Sequence, residues 1–160
     1  MSVKIVAQLN RLGKAHVLTA WLRGNSLYGL IEREWVRQLV STFLESRGYQ
    51  VLVAADGASA MQAARSHKDE IDLLLTDVVM PKVGGRELAE HLQKTIPNLK
   101  VLFLSGYTGG PVLHPSVQES GAAYVQKPFS MRFLARRIRE VLDGPSASLV
   151  HPKSDAAATM

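Results

Sequence analysis

Ile71-Asp72-Leu73-Leu74-Leu75-Thr76-Asp77-Val78-Val79-Met80-Pro81 is the stretch on which the reading of this chain turns. Its apolar run is too continuous for a strand with one wet face and suits a parallel sheet covered on both sides. The run ends in Asp77, and a carboxylate at the mouth of a buried strand is costly unless something there uses its charge. Two further runs end in polar groups: Val101-Leu102-Phe103-Leu104 in Ser105, and Ala122-Ala123-Tyr124-Val125-Gln126 in Lys127. In an open parallel α/β sheet, ligands and chemistry collect at the carboxyl ends of the strands. An acid, a hydroxyl and an amine brought there by three consecutive strands make a candidate phosphate site. Asp77 alone reads equally well as a turn-capping residue, and Lys127 alone as a solvated lysine. Their register with Ser105 raises both above those plainer readings.

Outward from this centre, helix and strand alternate from residue 34. Glu34 to Arg47 sets Val36, Leu39, Val40, Phe43 and Leu44 at helical spacing and stops at Gly48. Val51 to Ala54 is a short strand, and Asp56 is placed to cap a helix through Ala58, Met61, Ala64 and Arg65. Past a loop from Pro81 to Gly85, Arg86 to Thr95 is an amphipathic helix with Leu88, Ala89 and Leu92 inward, and Lys100 to Leu104 is a strand. Gly106, Gly109, Gly110 and Pro111 mark a loop before a short helix near Val112 to Ser120. Ser130 caps a last helix, Met131 to Leu142, with Phe133, Leu134, Ile138, Val141 and Leu142 toward the core. Strands joined by helical crossovers connect right-handed and parallel. The expected architecture is therefore a doubly wound α/β sandwich, a parallel sheet with helices on both faces. Four strands are clear. For the first in sequence the best candidate is Asn25 to Ile31, though Gly29 interrupts it. Val3 to Leu9 reads better as a strand but lies too far from the helix that starts at Glu34. The expected division is an atypical N-terminal segment, 1–33, a folded domain, 34–143, and a disordered Pro/Ser/Ala-rich tail, 144–160.

Composition narrows the class. The 160 residues, 46% of them hydrophobic, suffice for one domain with a core. The absence of cysteine excludes a disulfide framework and any thiolate metal site. No apolar run reaches the roughly 20 residues that span a bilayer, and Lys4, Gln8, Asn10 and Arg11 make the N-terminus a poor signal peptide. A cytoplasmic location, with no membrane contact, is the expectation. The formal charge of +5 raises the question of nucleic acid, and its placement answers it. Residues 1–33 carry Lys4, Arg11, Lys14, Arg23 and Arg33 against Glu32 alone, whereas 34–143 carries 13 basic and 12 acidic residues. A DNA-binding domain carries its basic face on ordered elements, so no direct nucleic-acid partner is expected. The five histidines, at 16, 67, 91, 114 and 151, have no metal-ligand spacing.

Leu74-Leu75-Thr76-Asp77-Val78-Val79-Met80-Pro81-Lys82-Val83-Gly84-Gly85, then Phe103-Leu104-Ser105-Gly106-Tyr107, then Lys127-Pro128-Phe129 resemble the receiver domains of two-component response regulators. The likeness is greatest to receivers at the C-terminus of hybrid histidine kinases and covers about residues 34 to 143. It implies a flavodoxin-like sheet of five strands in the order 2-1-3-4-5. It further implies Asp77 as phosphoacceptor, charged from a histidine kinase or a histidine phosphotransfer protein, with Lys127 and Ser105 contacting the phosphoryl oxygens. Mg²⁺ would be held by Asp77, by the backbone carbonyl of Val79 and by an acid at Glu32. Tyr124 would be a switch aromatic, Lys127–Pro128 a cis peptide, and the last helix and strand a face able to form a homodimer. The resemblance makes the chain a signalling module rather than an enzyme acting on other molecules, with its downstream protein partner open.

One region departs from that pattern. Receivers end the first strand in two adjacent acids, and the alignment puts Ile31 and Glu32 there. One acid is missing and the other is the longer Glu, so a weakened Mg²⁺ site is expected. The likeness fades near residue 33, on the side that holds the charge excess, which suggests a leader of different origin. The alternative function is accordingly a pseudo-receiver, a binding module of the same fold that takes no phosphate. A phosphoaspartyl hydrolase is disfavoured because no second catalytic aspartate lies near Asp77.

Overall fold

The structure, a computed structural model, describes residues 2–6, 16–21, 38–54, 56–78, 80, 82–106 and 122–149. Its strands are β1 (Ser2–Val6), β2 (His16–Trp21), β3 (Gln50–Ala54), β4 (Leu73–Asp77), β5 (Lys100–Ser105) and β6 (Ala123–Gln126). The helices are α1 (residues 38–46), α2 (Gly57–Ser66), α3 (Gly85–Thr95) and α4 (Met131–Asp143). All six strands join one sheet, in the order β1-β3-β2-β4-β5-β6. β4 pairs in parallel with β5 from Leu73↔Lys100 to Asp77↔Leu104, and β5 with β6 from Leu102↔Ala123 to Ser105↔Gln126. β2 runs parallel to β4 and to β3. The parallel strands β3-β2-β4-β5-β6 thus follow the expected order 2-1-3-4-5.

Two corrections concern the N-terminal part. The parallel strand beside β4 is His16–Trp21, ahead of the expected position, while Asn25 to Ile31 lies outside the described residues. The sheet also has a sixth strand. β1 is antiparallel to β2 from Ser2↔Trp21 to Val6↔Val17 and in register with β4 at Lys4↔Leu75 to Val6↔Leu73. A strand has two edges, and β4 gives one of them to β5. Of the two N-terminal strands, only β2 runs parallel to β4, and β1 is antiparallel to both.

Alternation along the central strands builds two cores from one sheet. Leu74, Val101 and Phe103 point to the face covered by α2 and α3, where they meet Ala60, Ala64, Leu88, Ala89 and Leu92. Leu73, Leu75, Leu102, Leu104 and Val125 point to the other face and meet Val40, Leu44, Leu134 and Ile138 from α1 and α4. All five residues of β4 are buried, which is why its sequence has no polar alternation before Thr76.

The helix signals act as local chemistry predicts. The Asp56 carboxylate accepts from the backbone N–H of Ser59 at 2.7 Å, and the Ser130 hydroxyl oxygen accepts from that of Phe133 at 3.1 Å. Gly48 ends α1 with φ of +87°, a conformation glycine adopts without strain. The inward faces are narrower than expected, however: Leu39 is 50% exposed and Phe133 45%. Each lies at the rim of its apolar stripe, where no described neighbour covers it. Past α4, the first residues of the expected tail are hydrogen-bonded to the domain: Pro145 to Ser148 are exposed and Leu149 is buried. The Gln93 side chain donates to the carbonyls of Leu99 (3.0 Å) and Ala147 (2.9 Å) and accepts from the N–H of Leu149 (2.8 Å), whose own side chain is 1% exposed.

Candidate phosphoacceptor site

The parallel ladder carries the three polar strand ends to one edge of the sheet. Asp77 is the last residue of β4, Ser105 the last of β5, and Lys127 follows β6 directly. Backbone hydrogen bonds continue past the strands and fix this edge: Val78 N–H donates to Leu104 O at 3.0 Å, and Lys127 N–H to Ser105 O at 2.8 Å. Ser105 is therefore held between the elements that bear the other two groups. The Lys127 ammonium donates to Asp77 Oδ1 at 2.6 Å, the Asp77 side chain being 7% exposed and that of Lys127 31%. A cation that keeps contact with water neutralises a carboxylate that has almost none. Burial of the acid is tolerable on those terms. The Lys127–Pro128 peptide is cis, as the resemblance implied.

The floor of the site comes from residues the sequence did not single out. Thr76 is buried, and its hydroxyl donates to the carbonyl of Asp77 at 3.1 Å. Gly85 N–H donates to Val78 O at 3.0 Å, and a Cβ on Gly85 would lie 1.9 Å from the Asp77 carbonyl oxygen. The first turn of α3 is thus pressed against the backbone that presents Asp77. The Gly84-Gly85 pair at a helix start was the available signal. Gly106 is exposed, and a Cβ there would meet nothing within 4 Å. Tyr124, at 38% exposure, faces outward from β6. Glu32 and Val79, the other two groups expected at a metal, lie outside the described residues, as do Ile31 and the segment 107–121.

Residues 32–139 match the family described as the response regulator receiver domain. The chain belongs to that family. Among curated proteins this receiver is 35% identical over 123 residues to the sensor kinase CckA of Brucella abortus, covering 76% of this chain but 13% of that protein. It is also 35% identical over 107 residues to the response regulator receiver protein CpdR of the same organism, covering 67% of this chain and 88% of the relative. Among solved structures, the receiver domain of the hybrid histidine kinase CckA superposes with a TM-score of 0.57 at 31% identity, covering 69% of this chain and 92% of that one. The chemotaxis protein CheY4 of Vibrio cholerae gives 0.57 at 28% identity, covering 67% and 89%. The chain is a receiver module of two-component signalling, and no helix among the described residues is long and apolar enough to cross a membrane.

Receiver domains generally bind Mg²⁺ at an acidic site. The Asp77 carboxylate has the oxygen chemistry a hard cation needs. Among the described residues no three His, Asp or Glu side chains gather to hold a metal.

Proposed function

We infer that this receiver is a phosphoacceptor in a phosphorelay, taking a phosphoryl group from a histidine kinase or histidine phosphotransfer protein onto Asp77. The observation that carries this reading is the Lys127 ammonium, 2.6 Å from a buried carboxylate at the carboxyl edge of a parallel sheet. In this reading an Asp77 oxygen attacks the phosphorus of a phosphohistidine. The O–P bond forms as the P–N bond breaks, and the electron pair leaves with the ring nitrogen. A carboxylate is a weak nucleophile, so the rate comes from positioning and charge neutralisation. Lys127 balances the phosphoryl oxygens, the Ser105 hydroxyl donates to one of them, and Gly106 leaves the approach open. Asp77, the Val79 carbonyl and Glu32 are the groups that would hold Mg²⁺, which supplies further neutralisation of phosphoryl charge. Val79 has no polar side chain to orient water, so the acyl phosphate is expected to be lost slowly. The face bearing Tyr124 would then change shape for a protein partner.

The test is a mass measurement. With Mg²⁺ and acetyl phosphate the protein should gain one phosphate adduct, which Asp77→Ala abolishes. An adduct that persists in Asp77→Ala, or one lost from the wild type within seconds, would count against the assignment. The second reading, a pseudo-receiver that takes no phosphate, is favoured by Ile31 in place of an acid. A folded protein with no adduct at any Mg²⁺ concentration would select it.

A further inference from the structure

The arginines of α4 are arranged in a way that phosphoacceptor chemistry does not use. Arg132, Arg136 and Arg139 fall at spacings of four and three on α4 and line one side of a groove. Its other side is formed by Arg47, Gly48 and Tyr49 at the end of α1, with Ala135 on its floor, and it encloses about 410 Å³. The three α4 guanidiniums span about 10 Å along the helix axis at 1.5 Å per residue. The groove runs from Arg132, five residues after Lys127 in sequence, to Tyr49, the residue before β3.

Four guanidiniums border the groove, and acids temper only part of their charge. Arg136 donates to Glu140 once (3.2 Å) and Arg139 to Asp143 twice (3.0 and 2.5 Å), both pairs at i,i+4 and both exposed. The single-bond Arg136–Glu140 pair is weak, salt-screened and readily exchanged for another carboxylate, whereas the two-point Arg139–Asp143 pair is held more firmly, so Arg47, Arg132 and Arg136 are the cations the groove offers a partner. Arg47 lies over the Phe43 ring, 4.9 Å from its centroid, which holds its guanidinium at the wall. Arg137, on a different stripe of α4, pairs with Glu140 at 2.7 Å and does not line the groove.

We propose that this groove is a docking surface for an acidic helix of a partner protein. The positive charges form a row along one wall, not a cup around one point. A compact phosphate needs donors that converge, whereas a row at helical spacing matches carboxylates at i, i+4 and i+7 on a second helix. The small side chain of Ala135, beside the arginines on α4, leaves room for that helix to lie lengthwise. The surface is distinct from Asp77, so the proposal stands whether or not Asp77 is phosphorylated.

The probe is a fluorescein-labelled, alanine-based 17-residue helix with Glu at i, i+4 and i+7, compared with the same helix carrying Gln. Fluorescence anisotropy with the full chain should show the Glu helix binding at least tenfold more tightly than the Gln helix in low salt. R132E/R136E should weaken the Glu helix at least tenfold, and Arg47→Glu, from the opposite wall, should do so separately. Because Arg47, Arg132 and Arg136 are exposed, an unchanged circular dichroism spectrum is expected for each variant. Equal binding of the two helices, or reversals that leave binding unchanged in folded protein, would overturn the proposal. So would pyrophosphate or a DNA duplex displacing the Glu helix at concentrations below those of the unlabelled helix.

Discussion

Gly85 sets the tightest tolerance in the site. An added Cβ would stand 1.9 Å from the Asp77 carbonyl oxygen, and the atom it meets is backbone, which cannot swing aside. Gly85→Ala should therefore push the start of α3 off the end of β4 and cost about 1–3 kcal/mol in urea unfolding, the usual penalty for overpacking. Gly106→Ala is the control, since a Cβ there meets nothing within 4 Å and stability should be unchanged. Asp56 illustrates a different residue-level effect. Its carboxyl is held below the ordinary value of 3.8, first by the Ser59 backbone N–H, then by the Ser59 hydroxyl, with a smaller pull from Lys82. A carboxyl lowered in the folded state stabilises the fold above its unfolded pKa and loses that effect as pH falls through the folded value. Asp56→Ala should cost about 0.5–2 kcal/mol at pH 7. The gap between wild type and variant in urea titrations should narrow below pH 3.8, whereas a constant gap down to pH 2 would contradict the capping role.

Among the elements, the N-terminal strands offer the sharpest comparison. β2 is parallel to β4 and beside it in the sheet, whereas β1 is antiparallel and stands at the end of the strand order. A proline in a strand deletes a ladder hydrogen bond and is tolerated only at an edge. Leu18→Pro is expected to abolish cooperative unfolding, and Ile5→Pro to leave it intact. The opposite pattern, read by thermal circular dichroism, would make β1 the essential partner of β4. The family match begins at residue 32, after both strands, so family likeness could not point to His16–Trp21. Its Val17, Leu18 and Thr19 were the local signal, a run that the sequence reading did not single out. Elements whose marks are local, such as Asp56, Ser130 and Gly48, were legible in the sequence. So were the three strand ends of the site, because apolar runs that stop at Asp77, Ser105 and Lys127 need no knowledge of neighbours. Leu39 and Phe133 were not, because exposure depends on what packs against a helix rim, and periodicity does not record that.

At the scale of the molecule, the domain closes with a segment whose composition read as tail. Pro145, Ser146, Ala147 and Ser148 carry no apolar pattern, and Leu149 was the one residue that could have marked it. Gln93, buried on α3, holds this segment through its amide, and Ser146 donates to Asn98 O at 3.1 Å. Leu149 then joins the α2–α3 core beside Val101 and Phe103. We place the boundary of the folded domain at or beyond residue 149. Leu149→Ala should cost about 2–4 kcal/mol, the range for a buried leucine. A loss under 0.5 kcal/mol in urea would show that the segment merely rests on the surface. The Lys100 ammonium adds to the same closure, donating to the carbonyl of Leu142 and, at 2.6 Å, to that of Gly144 as α4 ends. For anyone cutting or fusing this gene the lesson is practical. A boundary placed at residue 139, where the family match ends, would sever the last helix turn, strip a lysine of its carbonyl acceptors and leave a leucine-sized hole beneath the sheet.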